Sequence, residues 1–394
     1  MRSYLHTLHY LRTIDALHLV RSQKGLNVHY YIKGEEAPHR LKLPAHLPMP
    51  FNLGLGMLTS DILALFEKIA AGRFGLAVMF LKADKHAKDL TCAQLFARYK
   101  QPETLIQKLW EPLVLGTMNT PIDKASAQVF VNIVRTIFFR DHRFSRLLFP
   151  TEGLGDLLVD PAVKYLTERN HTFVFGAQIT GIFERHGKIY VERKDADTEV
   201  FDALIYSSTS YETHVLPEQL LPMMPKLAFS PIINAYLWLD KEILQHPISG
   251  FIGTSIQWVF PKPSNYAKQL ISCTVSAGEN LVDLTNEEII EIFWRDICAT
   301  VPNATRAKIL RSQVIKEKRA TVLLTPALQH ARPHMRTSIP NLFLAGDLVQ
   351  NALPMTIEGA VRNGQHAAKA VRKYLFPEHE ESYFLSASMK SSKR

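Results

Sequence analysis

The spacing of hydrophobic positions predicts a mainly helical N-terminal part of the chain. Five apolar side chains recur at helical spacing within a predicted helix over residues 1–24, namely Leu5, Leu8, Leu11, Ile14 and Leu17. Residues 28–43 are typical of short strands with turns. Helices are predicted again over 59–70, which begins with the N-cap residue types Thr, Ser and Asp, and over 102–115 and 123–139.

Beyond Pro150 the pattern changes to alternating strands and helices. The predicted helices cover 159–166, 286–300 and a C-terminal segment that begins near Pro354. The predicted strands cover 172–175, 188–193, 200–207, 232–239, 251–260, 269–276 and 341–345. This order indicates an α/β or α+β fold in which a helical segment interrupts a sheet-forming one.

Two capping boxes mark predicted helix starts. Thr91 is followed three residues later by Gln94, and Thr285 is followed at the same spacing by Glu288. In such a pair each side chain accepts a hydrogen bond from the main-chain N–H of the other residue. We therefore expect helices to begin directly after Thr91 and Thr285.

The composition is that of an ordinary globular protein, with 46% hydrophobic and 21% charged residues. A length of 394 residues corresponds to two or three domains of about 150 residues each. No apolar stretch reaches the ~18–20 residues that a membrane-spanning helix needs. The first residues also lack the apolar core and cleavage site of a signal peptide.

The formal charge of +9 and the isoelectric point near 9.3 leave several partners open. Nucleic acid, an anionic membrane surface and an anionic ligand all suit a basic protein, and a solvated basic surface is the alternative. Because the basic residues are spread out and no nucleic-acid-reading motif is present, we expect no nucleic-acid partner. Three widely spaced cysteines without a CxxC motif predict buried thiols in a reducing, cytoplasmic compartment.

The segment 341–371 contains the clearest candidate site. A short apolar strand ends at Gly346-Asp347, and a helix follows Pro354. The first N–H groups of a helix are unpaired and favour negative charge, and small residues such as Gly359 allow a flat ring to approach closely. A buried strand–helix corner, in which the small residues serve packing alone, is the alternative.

This segment resembles the C-terminal flavin-binding motif of the FAD-dependent amine oxidase and carotenoid desaturase superfamily. The matching positions are Ala345, Gly346, Asp347, Leu353, Pro354, Thr356, Ile357, Glu358, Gly359 and Ala360. The resemblance implies that FAD is the cofactor and that Asp347 contacts its ribityl-pyrophosphate part. It also implies that the helix N-terminus faces the flavin ring, where it would stabilise the negative charge of the reduced form.

Within the superfamily, the chain resembles the hydroxysqualene dehydroxylase family. The similar stretches are TMNTPIDKASAQVF (117–130), FPTEGLGDLLVDPAVKYL (149–166) and EKRATVLLTPALQHARP (317–333). The resemblance implies reductive dehydroxylation of hydroxysqualene to squalene, in hopanoid or carotenoid synthesis, with hydride delivered by the flavin. Alternatives are a carotenoid desaturase, an amine oxidase or a non-catalytic lipid-binding subunit. The sequence identifies no catalytic residue.

The sequence departs from that family at its beginning. The family starts with a strand, a GxGxxG turn and a helix, whereas Gly54-Leu55-Gly56 follows prolines and has Thr59 at the third glycine position. These glycines are therefore predicted to lie in a loop. We expect the chain to lack the first βαβ unit, to bind FAD weakly or not at all by itself, and to need a separate N-terminal FAD-binding segment as a partner.

The expected architecture is α/β: a Rossmann-like FAD/NAD(P)-binding domain without its first βαβ unit, interleaved with an α+β substrate domain. The predicted FAD-binding segments are 1–24, 150–225 and 320–375, the predicted substrate segments are 25–149 and 226–319, and a flexible basic tail is predicted over 376–394. By the resemblance Ile179 would lie against the adenine, with an ordinary core isoleucine as the alternative.

The remaining candidate residues have weaker patterns. Alternating apolar side chains on the strands after residue 226 are typical of a core, and by the resemblance they would wall a lipid cavity; they are Ile232, Tyr236, Trp238, Phe251, Trp258 and Phe260. His6 and His9 have no third ligand at suitable spacing, so we expect no metal. His330, Arg332, His334 and Arg336 could face an anion, although a solvated loop is the favoured interpretation. An apolar isoprenoid substrate resides in membrane, so the positive charge indicates a peripheral location on an anionic inner membrane face.

Overall fold

The structure is a computed structural model that describes residues 1–209 and 211–377. Contacts within the chain divide it into two compact units. Among the described residues, unit 1 comprises 1–3, 21–149 and 228–327, and unit 2 comprises 4–20, 150–227 and 328–377. Residues 320–327, predicted with the FAD-binding segments, thus belong to unit 1. Of the predicted basic tail over 376–394, residues 378–394 lie outside the described residues.

The described residues form thirteen α-helices, numbered here in chain order. They are α1 (Leu5–Thr13), α2 (Phe51–Thr59), α3 (Leu65–Phe80), α4 (Ala83–His86), α5 (Cys92–Arg98), α6 (Glu103–Leu105), α7 (Glu111–Met118), α8 (Ala127–Arg135), α9 (Leu154–Leu158), α10 (Asp160–Thr167), α11 (Asn286–Thr300), α12 (Pro326–Ala331) and α13 (Ile357–Leu375). Turns of π-helix, Ile106–Trp110 and Thr136–Arg140, join α6 to α7 and extend α8. The predicted helices over 102–115 and 123–139 therefore form. Both capping boxes are confirmed.

The described strands lie on both sides of a helical segment, with none between Lys42 and Leu148. They are β1 (Val20–Ser22), β2 (Asn27–Ile32), β3 (His39–Lys42), β4 (Leu148–Pro150), β5 (Ile179–Arg185), β6 (Lys188–Arg193), β7 (Ala196–Phe201), β8 (Leu204–Tyr206), β9 (Phe229–Leu239), β10 (Ser249–Ile252), β11 (Trp258–Lys262), β12 (Gln269–Ser276), β13 (Ile309–Val322) and β14 (Leu342–Leu344). The predicted mixture of helix and sheet is confirmed.

Unit 1 contains a seven-stranded sheet in the order β13-β9-β12-β11-β10-β2-β3. Its strand pairs are antiparallel except β10 with β2. Along β9 the side chains alternate between buried and half-buried positions. Ile233 and Leu237 belong to one buried cluster with Phe293 and Ile297 of α11, and burial of such side chains is the main stabilising contribution to this layer.

The helices of unit 1 surround a cluster of aromatic rings. Phe74 of α3 makes edge-to-face contacts with Phe96 of α5 and with Trp110, at ring-centroid distances of 5.8 and 5.2 Å. Phe96 also meets Phe130 of α8 edge to face at 5.4 Å. Such edge-to-face pairs favour one packing arrangement over others, so this cluster fixes α3, α5 and α8 against one another.

Unit 2 contains an antiparallel β5-β6-β7 meander and a parallel pair of β8 and β14. Ile189 of β6, Leu220 and Leu342 of β14 belong to one buried cluster. The other side of β14 presents Phe343, which packs against Ala367 and Ala370 of α13. The last helix is thereby fixed directly on the strand that precedes it.

Several predicted element boundaries are wrong. The helix predicted over 1–24 ends at Thr13, because Asp15 has a positive φ of 58° that interrupts helical geometry. Segments 200–207 and 251–260 each contain parts of two strands. Segment 172–175 is not a strand, and its side chains Phe173 and Phe175 are exposed.

The predicted loop containing Gly54 and Gly56 is also wrong, because both glycines lie inside α2. Gly56 is buried against β3, and a Cβ at this position would lie 2.8 Å from the main-chain oxygen of Lys42. Gly56 therefore serves close helix–strand packing. The next helix, α3, has Ala64 as its N-cap residue, so the predicted start at residues 59–61 is wrong as well.

Candidate functional site

The predicted flavin motif forms a strand–loop–helix corner within unit 2. β14 ends at Leu344, and Gly346 follows with a φ of +104°, a conformation that residues with a Cβ rarely adopt. The loop then continues to Thr356, the N-cap residue of α13. The main-chain N–H groups of the first turn of α13 have no partners within the helix, so this end carries partial positive charge.

Arg332 holds the loop of this corner from inside. Its guanidinium donates hydrogen bonds to the main-chain oxygens of Asp347, Leu348, Val349, Asn351 and Leu353 at 2.6–3.2 Å. A further bond reaches the Gln329 side chain at 3.1 Å. Only 2% of Arg332 is exposed, which corrects the prediction of a solvated arginine.

Burial affects the charge of this guanidinium only moderately. Desolvation lowers the pKa of Arg332 to about 10, and attraction to the Asp347 carboxylate acts in the opposite direction. The side chain is therefore positively charged at neutral pH. A planar guanidinium can satisfy several carbonyl oxygens at once, which an ammonium group cannot do in the same geometry.

Asn363 connects the loop to the helix that follows it. Its side-chain amide donates to the main-chain oxygens of Gly346 at 2.7 Å and Val349 at 3.0 Å. Asn351 acts within the loop, where its side-chain oxygen accepts from the N–H of Leu353 at 2.7 Å. Because these bonds leave the loop carbonyls paired, its conformation is well determined by the surrounding side chains.

Gly359 allows the first turn of α13 to lie against its own loop. A Cβ on Gly359 would stand 3.0 Å from the main-chain oxygen of Pro354, closer than carbon–oxygen packing normally allows. Replacement by a larger residue would push the helix start away from the loop. Gly359 thus serves packing at the corner, as expected for the alternative in which the small residues are structural. The same close packing positions the N-terminus of α13.

Glu358 links the first turns of two helices in unit 2. Its buried carboxylate accepts hydrogen bonds from the N–H groups of His6 and Thr7 at 3.0 and 2.9 Å, and from the Thr7 hydroxyl at 2.7 Å. These are unpaired donors in the first turn of α1. The carboxylate therefore serves as a cap for α1, and its proposed contact with a cofactor stays a prediction.

The predicted cofactor residues differ in their accessibility. Half-buried positions are Ala345, Gly346, Asp347, Leu353, Thr356 and Ala360; Pro354, Glu358 and Gly359 are buried, and Ile357 is exposed. All of these residues lie in the corner. Ile179 lies elsewhere, at the start of β5, where it is half-buried against the core of unit 2. The residue roles stay predictions.

The corner has the properties that a flavin nucleotide requires. The buried Arg332 charge and the N-terminus of α13 both favour negatively charged ligand groups. At Gly346 no atom lies within 4 Å of the position that a Cβ would occupy, so the main chain is open to a ligand there. The residues present therefore fit the cofactor that the resemblance implies.

The histidine pair near the N-terminus has a structural environment of its own. His6 lies 2.7 Å from the Gln365 side-chain oxygen through its Nδ1 atom. Within residues 1–209 and 211–377, no group of three or more His, Cys, Asp or Glu side chains could hold a metal ion.

Across the same residues, no helix combines the length and hydropathy required to cross a membrane.

Sequence reasoning missed Arg332 and Asn363 as residues that build the corner. Arg332 is separated from its acceptors by 15–21 residues, and its local sequence, HARPH, has no pattern that indicates burial. Asn363 offered a signal, since a polar residue on the face of α13 that packs inward needs a partner. Both residues donate hydrogen bonds to main-chain oxygens, and the sequence does not reveal which main-chain oxygens a side chain will meet.

A family model described as flavin containing amine oxidoreductase matches residues 2–372 of the chain. Hydroxysqualene dehydroxylase from Sinorhizobium fredii (strain NBRC 101917 / NGR234) is 32% identical over 273 residues, which are 67% of this chain and 62% of that relative. The 15-cis-phytoene desaturase of an Oncidium hybrid cultivar is 22% identical over 365 residues, 84% of this chain and 61% of the relative. The predicted resemblance to hydroxysqualene dehydroxylases is confirmed.

The matches cover only part of each relative's length. The chain spans less than two thirds of the length of these curated proteins. Among solved structures, cyclohexylamine oxidase from Brevibacterium oxydans IH-35A superposes with a TM-score of 0.63 at 12% identity, covering 94% of this chain and 86% of that one. This likeness shows a common fold.

Proposed function

The chain belongs to the family of flavin-containing amine oxidoreductases, and from that membership we propose that it is an FAD-dependent oxidoreductase acting on a long isoprenoid. The proposed reaction is reductive dehydroxylation of hydroxysqualene to squalene. The observation that supports FAD as the cofactor is the corner at residues 345–360, which Arg332 holds from inside. The similarity to relatives named hydroxysqualene dehydroxylase supports the substrate.

Two parts of the corner would hold FAD. The half-buried Asp347 and the open main chain at Gly346 would contact its ribityl-pyrophosphate part, and the first turn of α13 would face the negatively charged edge of the ring. When bound in its reduced form, FAD would supply a hydride to the carbon whose hydroxyl group takes up a proton and leaves as water. Arg332 and Asn363 keep the loop in one conformation, so the binding groups are preorganised.

An aromatic sheet face in unit 1 is suited to the substrate. The face of β9 opposite α11 carries the half-buried Tyr236 and Trp238, and β11 carries the half-buried Trp258 and Phe260. Phe251 belongs to the core beside α11 instead. A C30 hydrocarbon is bound through burial of apolar surface, so we propose that this face lines the substrate site.

Two further features belong to the proposal. The charge of +9 supports a peripheral location at an anionic, cytoplasmic membrane face, where the substrate resides. Because the sequence contains no GxGxxG turn, a separate FAD-binding segment is a proposed partner. Addition of such a segment to the purified chain should raise its affinity for FAD, as measured by flavin fluorescence quenching.

A reconstituted reaction tests the proposed function. The full chain, together with the proposed N-terminal FAD-binding segment, is incubated with chemically reduced FAD and hydroxysqualene, and products are analysed by gas chromatography with mass spectrometry. We expect squalene to form, and to form much more slowly with an Asp347→Ala variant whose circular dichroism is unchanged. A parallel assay supplies oxidised FAD and an electron acceptor with phytoene or an amine, and oxidation there without squalene formation in the first assay would contradict the proposal. Substrate binding without turnover would support the lipid-binding alternative.

A further inference from the structure

Helices α2 and α3 of unit 1 each expose several large apolar side chains. On α2 the exposed residues Phe51, Leu55 and Leu58 recur at helical spacing. On α3 one face carries Leu65, Ile69, Leu76 and Phe80, with Phe66 beside it. We call these eight residues the apolar helix face. Phe80 is 79% exposed and Leu65 is 71% exposed, so neither is a core side chain.

The opposite sides of both helices are firmly packed. Phe74 and Val78 of α3 are buried, and the Arg135 side chain donates to main-chain oxygens at the end of α3, including that of Val78 at 2.7 Å. The Lys68 ammonium donates to the Leu58 oxygen at 2.8 Å and so links α3 to α2. The apolar helix face is therefore displayed by helices whose positions are fixed.

The charges around the apolar helix face are predominantly positive. Arg73 is exposed along the same side of α3, and Lys82 and Lys85 are exposed directly after Phe80. The sequence has Asp61 and Asp84 at the two ends of this segment. The one acidic residue between them, Glu67, has its carboxylate buried on the opposite side, 3.6 Å from the Lys108 ammonium. An apolar area with a positive border is complementary to a bilayer that has anionic headgroups.

We propose that the apolar helix face is a membrane-docking surface that inserts into the headgroup and acyl boundary of an anionic lipid bilayer. The apolar side chains enter the boundary, while Arg73, Lys82 and Lys85 bind lipid phosphates. Large exposed apolar areas on a folded protein mark such interaction surfaces. The choice of lipid rests in part on the proposed function, because an isoprenoid substrate dissolves in the bilayer and has to be taken up from it.

The border charges favour a bilayer over a second copy of the chain. In a symmetric dimer the same patch of each copy faces the other, so the lysines and arginine of one border would approach those of its partner. Like charges brought together in this way oppose association. An anionic membrane instead supplies the opposite charge.

Vesicle flotation with the full chain tests the docking surface. The chain is mixed with phosphatidylcholine vesicles, with or without phosphatidylglycerol, and the bound fraction is measured after centrifugation. We expect strong binding to the anionic vesicles and weaker binding to the neutral ones. The double variant Leu76→Ser/Phe80→Ser should lower the partition coefficient at least tenfold for both vesicle types, since each substitution removes apolar area from the bilayer.

A matched control and a charge variant refine the experiment. Leu310→Ser changes a residue of β13 that is 59% exposed, like Leu76, and should leave vesicle binding unchanged. Lys82→Glu/Lys85→Glu should weaken binding to the anionic vesicles alone. Circular dichroism confirms that each variant is folded. A Phe80→Trp variant adds a direct measure, because its fluorescence should be quenched by brominated phosphatidylcholine, whereas that of Leu310→Trp should not.

Three results would overturn the docking surface. These are no binding to either vesicle type, equal losses in the Leu310 control, and a dimer that Leu76→Ser/Phe80→Ser converts to monomer without any change in vesicle binding. The reaction with detergent-dispersed hydroxysqualene is measured separately. Vesicle binding without squalene formation would contradict the proposed function alone, and squalene formation without vesicle binding would contradict the docking surface alone.

Discussion

At the scale of single residues, Arg332 determines the shape of the candidate cofactor corner. Its guanidinium pairs with five main-chain oxygens between residues 347 and 353. A buried carbonyl oxygen without a donor costs about 1–3 kcal/mol, so one side chain offsets several such costs at once. The loop has no regular secondary structure to pair these groups, and its conformation therefore depends on this arginine.

We predict that Arg332→Met lowers the free energy of unfolding by about 3 kcal/mol or more, because the loop oxygens lose their donors. Arg332→Lys should cost about 2 kcal/mol, since an ammonium keeps the charge without the fork of donors. Urea denaturation followed by circular dichroism measures both values. The control is Arg336→Met, which changes an exposed arginine nearby and should cost under about 1 kcal/mol. Equal effects at the two positions would contradict this role.

At the scale of elements, α1 and α13 are joined through their first turns. The Glu358 carboxylate accepts from two main-chain N–H groups of α1 and from the Thr7 hydroxyl. Because a negative charge is favourable at a helix N-terminus, this carboxylate stabilises α1 in the way that an N-cap side chain does. The sequence alone shows neither half of this pair, since more than 350 residues separate them.

A double-mutant cycle tests this link. Thr7→Val removes one hydrogen bond, and Glu358→Gln weakens all of those that the carboxylate accepts. We expect each single substitution to cost about 1–2 kcal/mol of unfolding free energy and the double variant to cost about 1 kcal/mol less than their sum, because the two groups interact directly. Additive effects in urea denaturation would show that Glu358 and Thr7 act independently.

A pair of stacked imidazoles involves β2, the second strand from one edge of the seven-stranded sheet. The rings of His29 in β2 and His246 lie 3.3 Å apart with an angle of 5° between their planes. Desolvation lowers the pKa of His29 to about 4, with smaller contributions from His246 and Arg40, while Asp61 acts in the opposite direction. The pKa of His246 is lowered as well, first by desolvation. The folded protein therefore favours the neutral pair.

This pair predicts a stability that decreases at acidic pH. An unfolded histidine has a pKa near 6.5, so the unfolded chain binds more protons than the folded chain between about pH 6.5 and 4. The stabilising contribution is full above about pH 6.5 and is lost as the pH falls towards 4. Allowing for solvent screening, we expect about 1 kcal/mol. His29→Phe should remove this part of the pH dependence in urea titrations, and an unchanged profile would contradict the assignment.

At the scale of the whole molecule, sequence and structure agree where patterns are local. The capping boxes at Thr91 and Thr285 and the mixed fold follow from neighbouring residues, and they are confirmed. The strand–loop–helix corner also forms where the motif predicted it. Predictions are wrong where contacts between distant residues determine the structure. Gly56 is helical because α2 packs on β3, and Arg332 is buried because a loop closes around it.

The net charge of +9 is a property of the whole chain, and it predicts weak, non-specific attraction to DNA. Binding that depends on phosphate charge alone decreases steeply with salt, by about 10³–10⁵ between 50 and 200 mM for 6–10 phosphate contacts. We therefore expect a labelled DNA duplex to bind at low salt and to be released at about 200 mM, as measured by fluorescence anisotropy. At that salt concentration, docking of the apolar helix face on anionic vesicles should fall towards the level of neutral vesicles but persist, because apolar burial is not screened by ions. Sequence-dependent DNA binding that survives 200 mM salt would contradict this expectation and would restore nucleic acid as a partner.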